Sequence, residues 1–172
     1  MGSVMTKRAP LPANPANPVR AQADPADPLF ELARSPFFWL SRVSGRYVLD
    51  MEAVLRRVGM DVPHWRVLMI LHENDPASVS TLADLAVIKL STMTRIVQRM
   101  QAEGLVACNP RASDARVTEV RLTPAGAAAV EQVRDPASRI FHQAFDDISD
   151  PELIVFIGVL RRLFDNLESP PR

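Results

Sequence analysis

Hydrophobic residues recur at helical spacing along three long stretches of the chain. The first begins at Ser35-Pro36 and is predicted to run to about Val58, where Gly59 ends it. A second helix follows Pro63, and a third begins at the capping box of residues 149–152. One side of the third helix carries the apolar residues Leu153, Phe156, Ile157, Leu160, Leu163, Phe164 and Leu167. These stretches predict a mainly helical protein.

Between residues 78 and 104 the pattern changes to two short helices joined by a tight connection. Ser80 and Thr81 are predicted to cap the first of them and Ser91 the second, because hydroxyls accept from free N–H groups at helix starts. Gly104 ends the second helix at a position that favours left-handed backbone. The inward side of this helix consists of Met93, Ile96, Val97 and Met100, whereas its outward side is polar.

Two short strands, 105–109 and 117–122, come next, and the polar segment between them predicts a hairpin with a charged tip. Thr123-Pro124 then begins another helix. Asp135-Pro136 falls inside its expected length and predicts a kink or a restart. The order helix, helix, hairpin indicates a mainly α, winged helix-turn-helix fold with one small β-hairpin wing.

The polar outward side of the second short helix carries the candidate DNA contacts. Such a helix fits the major groove of B-DNA, where arginine pairs with guanine and glutamine with adenine. The expected contacts from this helix are Ser91, Thr92, Thr94, Arg95, Gln98 and Arg99. Arg111 and Arg116 on the hairpin would add contacts to the DNA backbone or the minor groove. Polar faces are also common on solvated helices, but the adjoining hairpin favours DNA.

The charge distribution supports a nucleic-acid partner although the net charge of the 172 residues is zero. Basic residues outnumber acidic ones between Lys89 and Arg121, and the reverse holds from Asp135 to Glu168. A neutral chain can still dock on phosphate through one basic segment. An enzyme is not indicated, because the sequence has no glycine-rich phosphate loop, nucleophile elbow or metalloprotease motif.

The composition also divides the chain. Residues 1–28 are rich in proline and poor in large apolar side chains, which predicts a flexible tail. The next segments are 29–60, 61–123 as the DNA-binding lobe, and 124–172. The sequence has no apolar run long enough to span a membrane and no secretory signal, so a cytoplasmic protein without a membrane partner is expected.

Five sequence motifs follow one another in the two short helices, the hairpin and the helix after it: Leu82-Ala83, the run from Ser91 to Val97, the run from Gln101 to Val106, Asp114-Ala115-Arg116 and the run from Leu122 to Gly126. Together they resemble the MarR family of bacterial transcriptional regulators. The resemblance extends from about Pro63 to Val130. It implies a homodimer that binds double-stranded DNA, with residues 29–60 and 124–172 supplying the dimerisation helices. It further implies that Asp114 orients an arginine of the wing and that Arg116 contacts DNA.

The resemblance also implies a small aromatic acid as effector, bound near the dimer helices. The candidate residues are Trp39, Arg42, Arg46, His64 and Trp65, since a guanidinium matches a carboxylate and an aromatic ring can stack on a planar ligand. The alternative is that the arginines are solvated, with Arg46 pairing Asp50, and that the tryptophans belong to the core. A near-palindromic operator, repression as the default, and release of DNA on effector binding complete the expectation.

Two further interpretations stay open. Cys108, the single cysteine, would be a redox sensor in a regulator of another kind, although a small half-buried hydrophobe is the simpler explanation. The winged domain would bind a protein partner in a helical interaction module. No metal or cofactor is expected, because His64, His72 and His142 lie far apart in sequence without companion ligands.

Overall fold

The computed structural model describes residues 19–168, which form two compact units, 19–47 and 48–168. The helices are α1 (Val19–Ala23), α2 (Pro36–Leu55), α3 (Val62–Glu73), α4 (Val79–Ala86), α5 (Leu90–Ala102), α6 (Pro124–Ala144) and α7 (Asp150–Glu168). The strands are β1 (Ala77–Ser78), β2 (Val106–Arg111) and β3 (Asp114–Leu122). Short 3-10 turns occupy Leu32–Arg34 and Arg56–Val58. The fold is mainly helical, as predicted.

The first unit begins inside the segment that the sequence predicts to be a flexible tail. Residues 1–18 of that segment lie outside the described residues, but Val19–Ala23 forms α1. Gln22 is buried, and its carbonyl accepts from the backbone N–H of Glu31 at 2.9 Å while its side-chain amide donates to the Glu31 carboxylate at 3.3 Å. These bonds give residues 19–31 a defined turn that composition alone does not reveal.

The second unit surrounds one hydrophobic core, to which every helix from α3 to α6 contributes. Its fully buried large side chains are Met51, Leu55, Val67, Leu68, Leu71, Leu82, Met93, Met100, Val120, Val130 and Val133. Gly59 follows the 3-10 turn with φ +72°, a left-handed conformation that glycine adopts without strain, and so ends the helix where the sequence predicts.

The sheet has three antiparallel strands in the order β1-β3-β2, one more than the sequence predicts. Val120 of β3 lies between Ala77 of β1 and Cys108 of β2. The hairpin strands reach further towards the tip than predicted, with a register shift between Pro110 and Arg111. The two-residue β1 is too short to produce an alternating pattern, which explains why sequence reasoning missed it.

Three local predictions about helix starts and breaks need correction. The side chain of Ser78, rather than Ser80 or Thr81, caps α4 by accepting from the N–H of Thr81 at 3.0 Å. Lys89 is the N-cap of α5 and makes no side-chain cap bond, so Ser91 lies inside the helix. α6 continues unbroken through Pro136 instead of restarting there.

The start of α6 is joined closely to the start of β2. The Thr123 hydroxyl accepts from the N–H of Gly126 at 3.0 Å and donates to the carbonyl of Gly104 at 2.7 Å. A Cβ on Gly126 would lie 2.1 Å from the Leu105 carbonyl oxygen, so this turn requires glycine. The wing is thereby held against the helix that follows it. Across residues 19–168, no helix is long and apolar enough to cross a membrane.

Candidate nucleic-acid interface

The exposed side of α5 presents a row of polar side chains because its other side is anchored in the core. Met93 and Met100 are fully buried and Val97 is nearly so. Ser91, Thr92, Arg95, Gln98 and Arg99 are exposed, whereas Thr94 is half-buried. The predicted inward and outward sides of the helix are therefore confirmed. This surface, together with the hairpin tip, is called the docking face below.

The side chains of the docking face differ in what they already bind. The Thr94 hydroxyl donates to the Leu90 carbonyl of its own helix at 2.9 Å. For Arg95 and Gln98, the structure records no hydrogen-bond or ion-pair partner among residues 19–168. Two neighbouring side chains with free donors in the middle of a helix can read base edges in a major groove.

The connection between α4 and α5 is strained at Val87. This residue has φ +53°, a left-handed conformation that β-branched side chains rarely adopt, and it is 72% exposed. Its N–H donates to the Asp84 carbonyl at 3.1 Å, and the N–H of Ile88 donates to the Ala83 carbonyl at 2.9 Å. The two bonds close the end of α4 and set the turn that aims α5.

The hairpin tip holds one arginine away from the lobe and into solvent. The Asp114 carboxylate accepts from the Arg116 backbone N–H at 3.1 Å and from its Nε and Nη2 at 3.0 and 3.2 Å. The side chain of Arg116 nevertheless stays 90% exposed. The hydrogen bonds from Arg116 lower the pKa of Asp114, so the carboxylate is charged when it orients the guanidinium.

Arg111, the second predicted arginine of the hairpin, has a partner of its own. Its Nε donates to Glu119 Oε1 at 2.9 Å across the strand pair, and Arg121 lies 3.7 Å from the other oxygen of that carboxylate. Glu119 therefore balances two cations of the wing, and Arg116 is the wing arginine with the most exposed guanidinium in the recorded ion pairs.

Arg99, at the last turn of α5, is held by the start of α3. Its Nη2 forms an ion pair with Oδ2 of Asp61, and its Nε lies 3.2 Å from Nε2 of His64 and 3.8 Å from Oε1 of Glu103. The imidazole of His64 is 4% exposed and touches Asp61 through Nδ1 at 2.5 Å and Glu103 through Nε2 at 3.0 Å. We call these four residues the α3–α5 link.

The pKa of Asp61 reflects its place in the link. Partial burial acts to raise this pKa, but the hydrogen bonds that His64 and Arg99 donate outweigh burial and lower it. The same carboxylate caps α3, since its Oδ1 accepts from the His64 backbone N–H at 2.9 Å. Asp61 is therefore an anionic N-cap of α3 that also binds α5.

Comparison with known proteins identifies the family. The MarR family model matches residues 60–118, the segment from the start of α3 into β3. The HTH-type transcriptional repressor IacR of Pseudomonas putida is 40% identical over 157 residues, which are 91% of this chain and 94% of that protein. The chain belongs to the MarR family. It is a DNA-binding transcriptional regulator and not an enzyme, as the sequence predicts.

Solved MarR-type structures agree with the fold. A MarR family regulator from Silicibacter pomeroyi superposes with a TM-score of 0.74 and 26% identity, over 83% of this chain and 96% of that one. Bordetella bronchiseptica BpsR, whose DNA binding is described as regulated by 6-hydroxynicotinic acid, superposes with a TM-score of 0.70 and 23% identity, over 79% and 97% of the two chains. At such identity the second likeness establishes the fold alone.

The five predicted effector residues of this MarR family member fall into two groups. Trp39, Arg42 and Arg46 lie on α2 in the first unit, where the Trp39 indole donates to the Ala33 carbonyl at 2.8 Å. His64 and Trp65 lie in the second unit and are buried. His64 belongs to the α3–α5 link, and Trp65 belongs to the hydrophobic core. The structure gives the two groups different local roles.

Around Arg42 the first unit offers an aromatic setting. The guanidinium of Arg42 lies 5.4 Å from the ring centre of Phe38 and 6.0 Å from that of Trp39. The two rings meet edge to face with centres 5.3 Å apart. A cation stacked on aromatic rings can bind an anion with its remaining N–H groups.

Cys108 lies half-buried on β2, and burial raises the pKa of its thiol, which disfavours the reactive thiolate. This environment favours the structural interpretation of Cys108 over redox sensing. Within the described ranges, no group of three or more histidine, cysteine or acidic residues is arranged to hold a metal ion.

Sequence reasoning missed Asp61, Glu103 and Glu119, the carboxylates that hold arginines of the MarR-type lobe. Asp61 stands immediately before Val62-Pro63, and an acidic residue before a proline is a recognised helix-start signal. The partners of Glu103 and Glu119 depend on tertiary packing, so neither the spacing of residues nor the composition predicts them.

Proposed function

We propose that this MarR family member is a repressor that binds a near-palindromic operator as a homodimer and leaves it when a small aromatic acid or phenol binds. The observation that carries the proposal is the docking face, on which Arg95 and Gln98 of α5 are exposed and Arg116 of the hairpin tip is 90% exposed. The relative IacR, which matches almost the full chain, is named a repressor. In this proposal the DNA-bound dimer blocks RNA polymerase, so its default effect on transcription is repression.

On the operator we assign base reading to the middle of α5. Arg95 would pair with guanine and Gln98 with adenine, each through two hydrogen bonds. Ser91 and Thr92, in the first turn, would bind phosphate and set the register. Arg116 would reach the backbone or minor groove beside the major groove that α5 occupies. Thr94 takes a smaller part because its hydroxyl already bonds to Leu90.

The homodimer is proposed from the surface of α7. None of its residues from Asp150 to Glu168 is buried within the described chain, although the helix is rich in large apolar side chains. The exposed ones are Ile154, Val155, Phe156, Ile157, Val159, Phe164 and Leu167. Contiguous apolar surface of this kind marks an interaction site. A second copy would cover it and place two recognition helices roughly 10 base pairs apart on the DNA.

For the effector we propose a carboxylate bound by Arg42 and a ring stacked near Phe38 and Trp39, with Arg46 as a second cation. The stacked geometry of Arg42 supports this assignment. BpsR, regulated by an aromatic acid, provides the analogy for the ligand class. The effector would have to bind the DNA-free state of the protein more tightly than the DNA-bound state.

A cytoplasmic location of the protein stays a prediction.

The operator proposal is tested by fluorescence anisotropy with the DNA upstream of the protein's own gene, an unrelated duplex, and two salt concentrations. Tight, selective and salt-sensitive binding is expected, because phosphate contacts release counterions. Arg95→Ala should weaken selective binding by roughly 1–3 kcal/mol. Arg139→Ala, which removes an exposed arginine from α6, is the matched control. Weak binding without salt dependence or sequence preference would instead favour a protein partner.

The effector proposal is tested in the same assay with hydroxylated nicotinic, benzoic and indolic acids. Release of DNA together with quenching of tryptophan emission is expected from at least one of them. Arg42→Ala and Arg46→Ala should abolish the response while leaving operator affinity intact. Release that survives both substitutions would place the acid elsewhere, and loss of DNA binding in either variant would mean that the arginine supports the fold.

A further inference from the structure

We propose that Arg99 is a positioning residue rather than a DNA ligand, and that the α3–α5 link sets operator selectivity by fixing the recognition helix. This inference deepens the proposed operator binding and rests on it. It also assigns His64 to the DNA-binding machinery rather than to the effector site.

The core alone leaves the orientation of α5 under-determined. Two of the three buried residues that anchor the helix, Met93 and Met100, are methionines. Unbranched thioether side chains adapt to small shifts of their surroundings and therefore specify orientation poorly. Side chains that read bases must be held within about 0.5 Å and 10–20° of the productive geometry. A directional polar contact at one end of α5 supplies the missing constraint.

The α3–α5 link has the properties of such a contact. Asp61 is fixed to α3 as its N-cap, and the same carboxylate binds Nη2 of Arg99 in the last turn of α5. His64 is buried between them. The Asp61 and Glu103 carboxylates lie 2.5 Å from its Nδ1 and 3.0 Å from its Nε2, and the Arg99 guanidinium lies 2.7 Å from Nδ1 and 3.2 Å from Nε2. Both ring nitrogens therefore contact the end of α5, and Nδ1 also contacts the carboxylate at the start of α3.

The position of Glu103 gives independent support. It is the C-cap of α5, where the negative end of the helix dipole disfavours an anion. Its carboxylate faces His64 at 3.0 Å and Arg99 at 3.8 Å, and both can offset that cost. Isolated ion pairs at a surface contribute little, but here three charged groups, Asp61, Arg99 and Glu103, contact one buried ring.

The Arg99 guanidinium already pairs with the carboxylates of Asp61 and Glu103, although 51% of the side chain stays exposed. A phosphate would have to compete with two carboxylates for one guanidinium. Arg95, one helical turn away, has no such competitor among residues 19–168. The two arginines of α5 thus have different roles. Arg95 contacts DNA, and Arg99 holds the helix in the orientation that this contact needs.

Asp61→Asn provides the decisive test because simple electrostatics and the proposal predict opposite signs. Removing an anion near DNA should raise affinity if the carboxylate acts only as a charge. Asparagine caps helices as well as aspartate, so α3 is retained, but it presents no anion to Arg99. The proposal predicts about a 10-fold loss of affinity, as expected when a hydrogen bond to a charged group is removed.

The measurement is anisotropy of the full-length protein on a duplex that the wild type selects from a randomised pool, and on an unrelated duplex. Asp61→Asn and Arg99→Gln should each lower affinity for the selected duplex about 10-fold, with a much smaller effect on the unrelated one. The double variant should lose little more than either single variant, because both remove one contact. Asp84→Asn, an exposed carboxylate on α4, is the charge-matched control.

Salt dependence separates positioning from direct contact. Loss of a phosphate ligand reduces the slope of log affinity against log salt by about 1, whereas loss of a positioning residue leaves that slope unchanged. Asp61→Asn that binds as well as or better than wild type would overturn the proposal. Arg99→Gln that lowers the slope and weakens both duplexes equally would also overturn it. Thermal unfolding of each variant identifies any loss caused by misfolding, and failure of the wild type to select a duplex would refute operator binding itself.

Discussion

Replacing Gly126 with alanine tests whether the first turn of α6 is locked against the wing. The added Cβ would lie 2.1 Å from the carbonyl oxygen of Leu105 and 3.1 Å from its carbonyl carbon. A carbon–oxygen contact requires about 3.3 Å, so one group must retreat by roughly 1.2 Å. The carbonyl cannot turn away freely, because the backbone N–H of Thr123 donates to it at 3.2 Å and the Thr123 hydroxyl, 3.1 Å away, shares its proton between this carbonyl and that of Gly104.

The expected cost combines three effects. Overpacking costs about 1–3 kcal/mol, loss of one Thr123 bond adds about 1 kcal/mol, and alanine in a helix returns about 0.5–1 kcal/mol relative to glycine. Gly126→Ala should therefore lower the free energy of unfolding by about 1–3 kcal/mol. An ordinary glycine of an amphipathic helix would show the opposite sign.

The assay is urea unfolding followed by tryptophan emission, since Trp65 is 7% exposed in the same unit. All variants are compared at one protein concentration because dimer stability depends on it. Ala128→Gly is the matched control: Ala128 is exposed near the start of the same helix, and the change should cost only about 0.5–1 kcal/mol. If Gly126→Ala stabilised the protein by the amount that the control loses, the close approach would not constrain the junction.

Three further outcomes are expected. Val87→Asn should raise the free energy of unfolding by about 1 kcal/mol, since asparagine tolerates left-handed backbone and the position is exposed; a lower thermal midpoint would contradict this. The pKa of Asp61 is lowered in the folded protein, so its ionised form stabilises the fold above the unfolded pKa of about 3.9, and this contribution is lost as pH falls through the folded pKa. In urea titrations the stability gap between wild type and Asp61→Asn should therefore stay constant above about pH 5 and narrow at lower pH; a gap that does not change with pH would contradict this. Since burial raises the pKa of Cys108, Ellman's reagent should react slowly at neutral pH and peroxide should leave DNA binding intact, with Cys108→Ser as control; peroxide release of DNA in the wild type alone would restore the redox interpretation.

Sequence reasoning succeeded where a structural choice depends on neighbouring residues. Thr123-Pro124 begins α6, and Gly104 with φ +75° ends the recognition helix, because capping and left-handed backbone are decided within a few positions. The same local rule failed at Ser91. Its hydroxyl is a good cap, but the helix starts at Leu90, two residues earlier than a cap at Ser91 would require, since the turn at Val87 fixes where α5 can begin.

The unpredicted part of the site depends on distance along the chain. Asp61 and Arg99 are separated by 38 positions, and their ion pair forms only after α3 and α5 have packed. The outward face of α5 indicates an arginine ready for DNA, because periodicity records which side is polar and not which polar group has a partner. His64 is ambiguous for the same reason: a histidine near a helix start looks alike whether it binds a ligand or an arginine.

Ser78 joins the hairpin of the DNA-binding lobe to the start of α4. This one residue pairs with Glu119 of the long hairpin strand and, through its hydroxyl, holds the first turn of α4. A pull on the hairpin is therefore transmitted directly to the helix that precedes the turn, with no flexible linker between them. The hairpin and the helices should therefore dissociate from DNA as one rigid body. A tilt of the lobe would then break the contacts of the hairpin and of α5 with DNA at the same time instead of one after another.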